Sequence, residues 1–196
     1  WQQAQIDVLK ELGVEITVEE CEQTMGLRID ALVAHWYAKH RWEGPSIEET
    51  ASTIVGRVAS HVMLSGVAKE GVLDALNIIA DQGLAIGLAT SSPMALVNAV
   101  LARLEIGHYF SICHSAEFEE YGKPHPAVYL QTAVQMGFHP KECVAIEDSF
   151  NGLLAAKAAT MKTIVIPEAF QATNPHFSIA DIRLSSLNEL TVEHLV

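Results

Sequence analysis

Three short stretches hold the side chains whose types and spacing suit chemistry: Thr90-Ser91-Ser92, Lys123, and Glu147-Asp148. The two adjacent carboxylates directly follow the apolar run Val144-Ala145-Ile146 and precede a helical stretch that reaches Ala159. Neighbouring carboxylates repel each other and resist burial. Keeping both ionised takes solvent, a cationic side chain or a hard metal ion. Lys123, between Gly122 and Pro124, is a candidate cation on a stiff segment. Thr90-Ser91-Ser92 lies where a helix begins, and free backbone N–H groups and the helix dipole there favour phosphate or another anion.

Each stretch also has a plainer reading. Ser92 can serve as the N-cap of a helix whose first residue is Pro93. Lys123 can be a solvated loop lysine, and Glu147-Asp148 can be an acidic pair placed at a helix start by the macrodipole. Their order favours chemistry, because each follows a short apolar strand. In a parallel sheet the C-terminal strand ends share one edge, where ligands bind.

The elements that must position them fall into two parts. Up to about residue 65 the patterns are helical: Ile6, Leu9 and Leu12 on a first helix ended by Gly13, then Ile29, Leu32, Val33, Trp36 and Tyr37 on a second broken by Gly44-Pro45. Ser46 with Glu49 makes a capping box for a third, with Ile54, Val58 and Val62 on its apolar face. From about residue 70, helices alternate with short apolar strands at 84–89, 110–113, 144–146, 163–166 and 182–184. The helices between them are expected at 72–80, after Pro93 with Val97, Val100, Leu101 and Leu104 inward, at 126–136 and after Ser149. A terminal helix opens at Ser186 and Glu189. The fold class is therefore α/β, a parallel-sheet core with a small all-helical accessory domain.

The chain has 196 residues, with 12 Lys and Arg against 24 Asp and Glu, a formal net charge of −12. That balance argues against nucleic acid, whose phosphates are met mainly by Lys and Arg. No apolar run reaches the ~20 residues of a membrane span, so no membrane partner is expected. Cys21, Cys113 and Cys143 are widely spaced and odd in number, and read as reduced, mostly buried thiols of a cytoplasmic protein. The histidines show no ligand spacing for zinc.

T-S-S-P after a strand, then G-K-P-x-P-x-x-Y, then E-D-S-x-x-G-x-x-A-A-x-A-A resemble three motifs of the haloacid dehalogenase-like phosphohydrolases. The similarity spans the chain and is strongest toward the beta-phosphoglucomutase-like branch and its bacterial 2-deoxyglucose-6-phosphate and hexitol phosphatases. GLRID with WY downstream, KPHPAVYL and SSLNELT carry that part of it. The resemblance implies a Rossmann-like core at 68–196 beneath a helical cap domain at 1–67. It implies Mg²⁺ held by Asp148 with Glu147 assisting, Thr90 bonding the transferring phosphoryl group and Lys123 neutralising charge. Ser91 and Ser92 would line the phosphate side, and Arg28 is the cap residue to pair with substrate, though a solvated helical Arg is the plainer reading. Trp36, Trp42 and Tyr37 read as cap core.

The expected activity is hydrolysis of a small phosphorylated sugar or polyol by a monomer, through an aspartyl-phosphate. The alternatives are a phosphosugar mutase and a non-catalytic phosphosugar-binding module. The family's first motif, a strand ending in D-x-D that supplies the nucleophile, has no counterpart here. The resemblance puts it just before the first cap helix, upstream of Trp1, and its strand between those at 84–89 and 144–146. The chain therefore reads as N-terminally incomplete and without turnover as it stands.

Overall fold

A computed structural model describes residues 1–195. Helices α1 (Gln2–Glu11), α2 (Val18–Cys21), α3 (Ile29–His40) and α4 (Ile47–Ser65) pack around one apolar cluster that includes Leu9, Val33, Trp36, Trp42 and Ile54, with Tyr37 against it. Removing each such side chain from water contributes roughly 1.5–3 kcal/mol. The expected capping box opens α4: Ser46 Oγ accepts from the Glu49 N–H at 3.1 Å, and Glu49 returns the bond to Ser46 N at 2.8 Å. A second box, Thr17 with Glu20, opens the short α2, which periodicity had passed over because one turn holds no period. Helix α3 ends before Gly44-Pro45, since Arg41 takes a left-handed conformation (φ 51°). The cluster extends into the rest of the chain through Leu96, with Val100 against it.

Five parallel strands follow: β1 (Ile86–Thr90), β2 (Phe110–Ser115), β3 (Val144–Glu147), β4 (Lys162–Val165) and β5 (Ile182–Arg183). Helices α5 (Val72–Asp81), α6 (Met94–Leu104), α7 (Ala127–Met136) and α8 (Phe150–Ala158) alternate with them, and α9 (Val192–Leu195) is last. Strand alternation sets the layers. Val144 and Ile146 pack on the side of Ala75 from α5, whereas Ala145 packs with Ala133 of α7 and Ala155 of α8. β1 starts two residues later than expected and runs through Thr90. The end of the chain also differs from expectation. Ser186 caps a single 3₁₀ turn at Leu187–Glu189, and α9 begins only at Val192.

The strands form two sheets, β1–β2 and β3–β4–β5. β1 and β3 each keep one edge unpaired among the described residues, and a cavity of about 380 Å³ separates them. Its walls include Ala75 and Ile79 of α5 and Thr132 and Met136 of α7. No helix among the described residues is long and apolar enough to cross a membrane.

Candidate active site

Parallel strands bring the three stretches to one edge. Thr90 ends β1, Glu147 ends β3 with Asp148 next, and Lys123 lies in the connection from β2 to α7. Thr90, Ser91, Ser92, Lys123, Glu147 and Asp148 all line one cavity of about 340 Å³, whose far wall comes from α1, α3 and the segment between α2 and α3.

Lys123 is not a solvated loop lysine: it is only 7% exposed. Its Nζ donates to the Ala89 carbonyl at 3.3 Å and to the Tyr129 hydroxyl at 3.2 Å, and pairs with Glu147 Oε1. The ammonium also lies 4.7 Å from the Tyr129 ring centre, a cation–π distance. It therefore ties β1, α7 and β3 together where the two sheets part. Burial in a charged form is tolerable only with a partner, and Glu147 is that partner.

Glu147 is equally committed. Its Oε1 takes the Lys123 ammonium and the Tyr129 O–H, and its Oε2 accepts from Asp148 N, Ser149 N and Ser149 Oγ at 3.1–3.2 Å. Burial would raise its carboxyl, but the Lys123 charge and the bonds from Lys123, Tyr129 and Ser149 hold it below the ordinary value. The spacing E-D-S-x-x-G has a steric cause here. A Cβ at Gly152 would fall on the Glu147 carboxylate, so only glycine lets α8 close over it.

Asp148 behaves differently. It is exposed to the cavity and its carboxylate makes no hydrogen bond among the described residues. Loss of hydration, then the Glu147 charge, pushes it above the ordinary carboxylate value. An unpaired oxygen donor raised in this way suits a hard cation. Mg²⁺ takes one or two carboxylates and completes its shell with water and phosphate oxygens. Asp148, with Glu147 behind it, fits that role, although the described residues contain no group of three or more acidic, His or Cys ligands.

The hydroxyls are arranged otherwise than capping alone predicts. Pro93, not Ser92, occupies the N-cap of α6, and it has no N–H to satisfy. The Met94 N–H is met instead by Glu117 Oε1 at 2.8 Å. This leaves the Ser92 hydroxyl uncommitted, while Ser92 N donates to Thr90 Oγ1 at 3.0 Å and Ser91 Oγ reaches the Gly26 carbonyl at 3.2 Å.

Arg28 is not brought to the cavity. Its guanidinium pairs with Asp30 at 2.7 Å and donates to the Ala116 and Glu119 carbonyls at 2.9 and 2.6 Å. With the Ser91 bond to Gly26, and Asn151 Nδ2 to the Met25 carbonyl at 2.9 Å, it fastens residues 25–28 over the sheet edge. Gly26 (φ 79°) is required there, since a Cβ would lie 2.8 Å from Ser149 Oγ. Trp36 and Trp42 are buried in the helical cluster, as expected. Cys21 is buried, but Cys113 and Cys143 are only half-buried, against the expectation of mostly buried thiols. Tyr129 is the site residue that the residue chemistry missed. It sits at the end of G-K-P-x-P-x-x-Y, in the first turn of α7 and six residues after Lys123, and its spacing was legible while its partner was not.

A sequence model of the haloacid dehalogenase-like hydrolases matches residues 2–160. Hexitol phosphatase B of Escherichia coli (strain K12) is 42% identical over 197 aligned residues, covering all of this chain and 89% of that protein. Phosphoglycolate phosphatase of Shigella boydii is 33% identical over 64% of this chain and 53% of its own length. In fold, CbbY from Rhodobacter sphaeroides, in complex with phosphate, superposes with a TM-score of 0.87 at 23% identity, over 99% of this chain and 90% of that one. Beta-phosphoglucomutase from Clostridium difficile gives a TM-score of 0.79 at 22% identity, over 98% and 86%. With that family model matching most of its length, the chain belongs to the haloacid dehalogenase-like hydrolases.

Proposed function

We propose that the protein is a Mg²⁺-dependent phosphatase of small sugar or sugar-alcohol phosphates. The observation that carries the reading is the shared cavity: hydroxyls of Thr90 and Ser92, the Lys123 ammonium and the free Asp148 carboxylate all border it. The 42% identity with hexitol phosphatase B supports the substrate class.

Phosphoryl transfer asks mainly for positioning and for charge neutralisation. The ammonium of Lys123, fixed by three protein partners, offers positive charge to a phosphate without having to reorganise. Thr90 Oγ1 and the Ser92 hydroxyl are the hydrogen-bonding groups for its oxygens. Mg²⁺, held by Asp148 with Glu147 behind it, would supply further charge stabilisation at the phosphoryl oxygens. Glu147 acts chiefly by holding Lys123 and the turn at Ser149. Helices α1–α4, taken as a cap over residues 68–196, exclude water from the cavity and strengthen its electrostatics.

The nucleophile in this reading is an Asp on a further strand between β1 and β3. The unpaired edges of those strands and the apolar slot between them support it. A mutase reading is less favoured. It needs a second phosphate site, and among the described residues lining the cavity the charged side chains are Lys123, Glu147 and Asp148 alone.

The test is inorganic phosphate release by the full-length protein from a hexitol phosphate, 2-deoxyglucose-6-phosphate and p-nitrophenyl phosphate, with Mg²⁺ and after chelation. Metal-dependent release supports the reading. Saturable binding without release would favour a non-catalytic module, and accumulation of a bisphosphate would favour a mutase.

A further inference from the structure

The wall opposite Lys123 and Asp148 contains one polar side chain whose orientation is fixed and whose donor is unused. Gln5, on α1, is 4% exposed and lines the cavity. Its Oε1 accepts from Trp36 Nε1–H at 3.4 Å. An indole nitrogen only donates, so this bond settles which end of the carboxamide faces Trp36. Trp36 is fully buried within the helical cluster and cannot turn to another acceptor. Gln5 Nε2, with two N–H donors, therefore points away from Trp36. It has no partner among the described residues, and it is not one of the polar atoms sealed inside the protein. Gln2, three residues earlier on the same helix face, is half-buried, lines the same cavity and makes no side-chain hydrogen bond.

The charges complete the picture. Every charged side chain lining the cavity lies at the sheet edge, and the side chains of the helical wall are the Gln2 and Gln5 carboxamides, the Trp1 indole, the Thr24 hydroxyl, the Cys21 thiol and apolar groups. Such a wall can hydrogen-bond hydroxyls but has nothing to neutralise a second anion. Arg28, the nearby cation, is spent on Asp30 and two carbonyls.

We propose that Gln5 is a specificity residue, its Nε2 donating to a hydroxyl oxygen of the group esterified to phosphate, so that the cavity selects a neutral polyhydroxylated leaving group over one bearing a carboxylate or second phosphate. This rests on the phosphatase reading. A buried donor placed to meet a hydroxyl rejects the analogue that lacks it, because the donor is then left unpaired.

The experiment compares full-length wild type with Gln5→Met on a hexitol phosphate and on p-nitrophenyl phosphate, which has no hydroxyl to read. The expected result is a rise of about tenfold in KM for the hexitol phosphate, with p-nitrophenyl phosphate kinetics unchanged within about twofold. An equal loss on both substrates would overturn the assignment. Should Gln5→Met not fold, wild type alone decides, assayed on phosphoglycolate and on hexitol phosphates lacking one hydroxyl at a time. One deoxy position should cost about tenfold or more in kcat/KM, and phosphoglycolate should be poorer still. Equal rates across that series contradict the proposal. If wild type releases no phosphate even from p-nitrophenyl phosphate, the phosphatase reading fails instead. Calorimetry then tests Gln5 separately: weaker hexitol phosphate binding by Gln5→Met sustains it, and unchanged binding overturns it.

Discussion

The Lys123 ammonium lies 3.2 Å from the Tyr129 hydroxyl, and both groups reach the same oxygen of Glu147. Three side chains from the β2–α7 connection, α7 and β3 thus share one buried knot at the point where the two sheets separate. Its stability rests on charge balance. Removing any one member leaves the others buried and short of a partner.

Lys123→Met should therefore be costly to folding as well as to activity. The buried Glu147 loses its cation, which by analogy with broken buried pairs costs about 3–5 kcal/mol. Urea unfolding measures this, and adding Glu147→Gln to the variant should recover part of the loss. A destabilisation no greater than that of an exposed lysine would show that the pair is solvated.

Tyr129→Phe keeps the ring against the ammonium and deletes only the hydroxyl. The expected cost is about 1.5–3 kcal/mol, since the lost bonds involve charged groups. Burial first, then the Glu147 charge, pushes the Tyr129 hydroxyl well above its ordinary value, so it stays protonated and donates throughout the working pH range. Thermal unfolding gives the cost, and unchanged stability would mean that the hydroxyl is dispensable to the knot.

Arg28→Ala separates a clamp from a substrate ligand. Its contacts are with Asp30 and with the Ala116 and Glu119 carbonyls, outside the cavity. The variant should lower kcat/KM for a hexitol phosphate and for p-nitrophenyl phosphate by the same factor, through looser fastening of residues 25–28. A loss confined to the hexitol phosphate would put the guanidinium on substrate.

Asp181 gives a pH prediction away from the site. It accepts from Lys157 Nζ at 2.9 Å and from Thr163 N and Oγ1 at 2.8 Å, and Lys157 leads in drawing its carboxyl from 3.8 down to about 2. A depressed carboxyl stabilises the fold above its unfolded value, and that contribution is lost as pH falls through the folded one. Wild type should lose more stability than Asp181→Asn between pH 3.8 and about 2. At neutral pH the variant should be weaker by about 1 kcal/mol, because the carboxylate is partly exposed. Parallel acid profiles would contradict this.

Much of the architecture was legible because apolar periodicity and caps are local. Ser46 with Glu49 marked α4, Gly137 marked the end of α7, and the apolar runs at β1 and β3 marked strands. Boundaries that depend on distant partners were not. Ser92 read as an N-cap because its neighbours suggest it, whereas Glu117, brought in from the segment after β2, supplies the capping acceptor. Arg28 read more plainly as a solvated helical arginine than as a substrate ligand, and its partners besides Asp30 are carbonyls about ninety residues away. Lys123 taken by itself read first as a solvated loop lysine, since nothing local announces that Tyr129 and Glu147 will enclose it. The Gln5–Trp36 bond is of the same kind, joining two helices across the cluster.

The central claim is that Asp148 and Lys123 serve one phosphoryl pocket, and the most direct measurement is Mg²⁺-dependent phosphate release by full-length wild type against Asp148→Asn. The account predicts that the variant folds, binds Mg²⁺ far more weakly and loses at least about 100-fold in rate, as expected for removing a charged group that holds the ion. Retention of both Mg²⁺ affinity and rate by Asp148→Asn would contradict it.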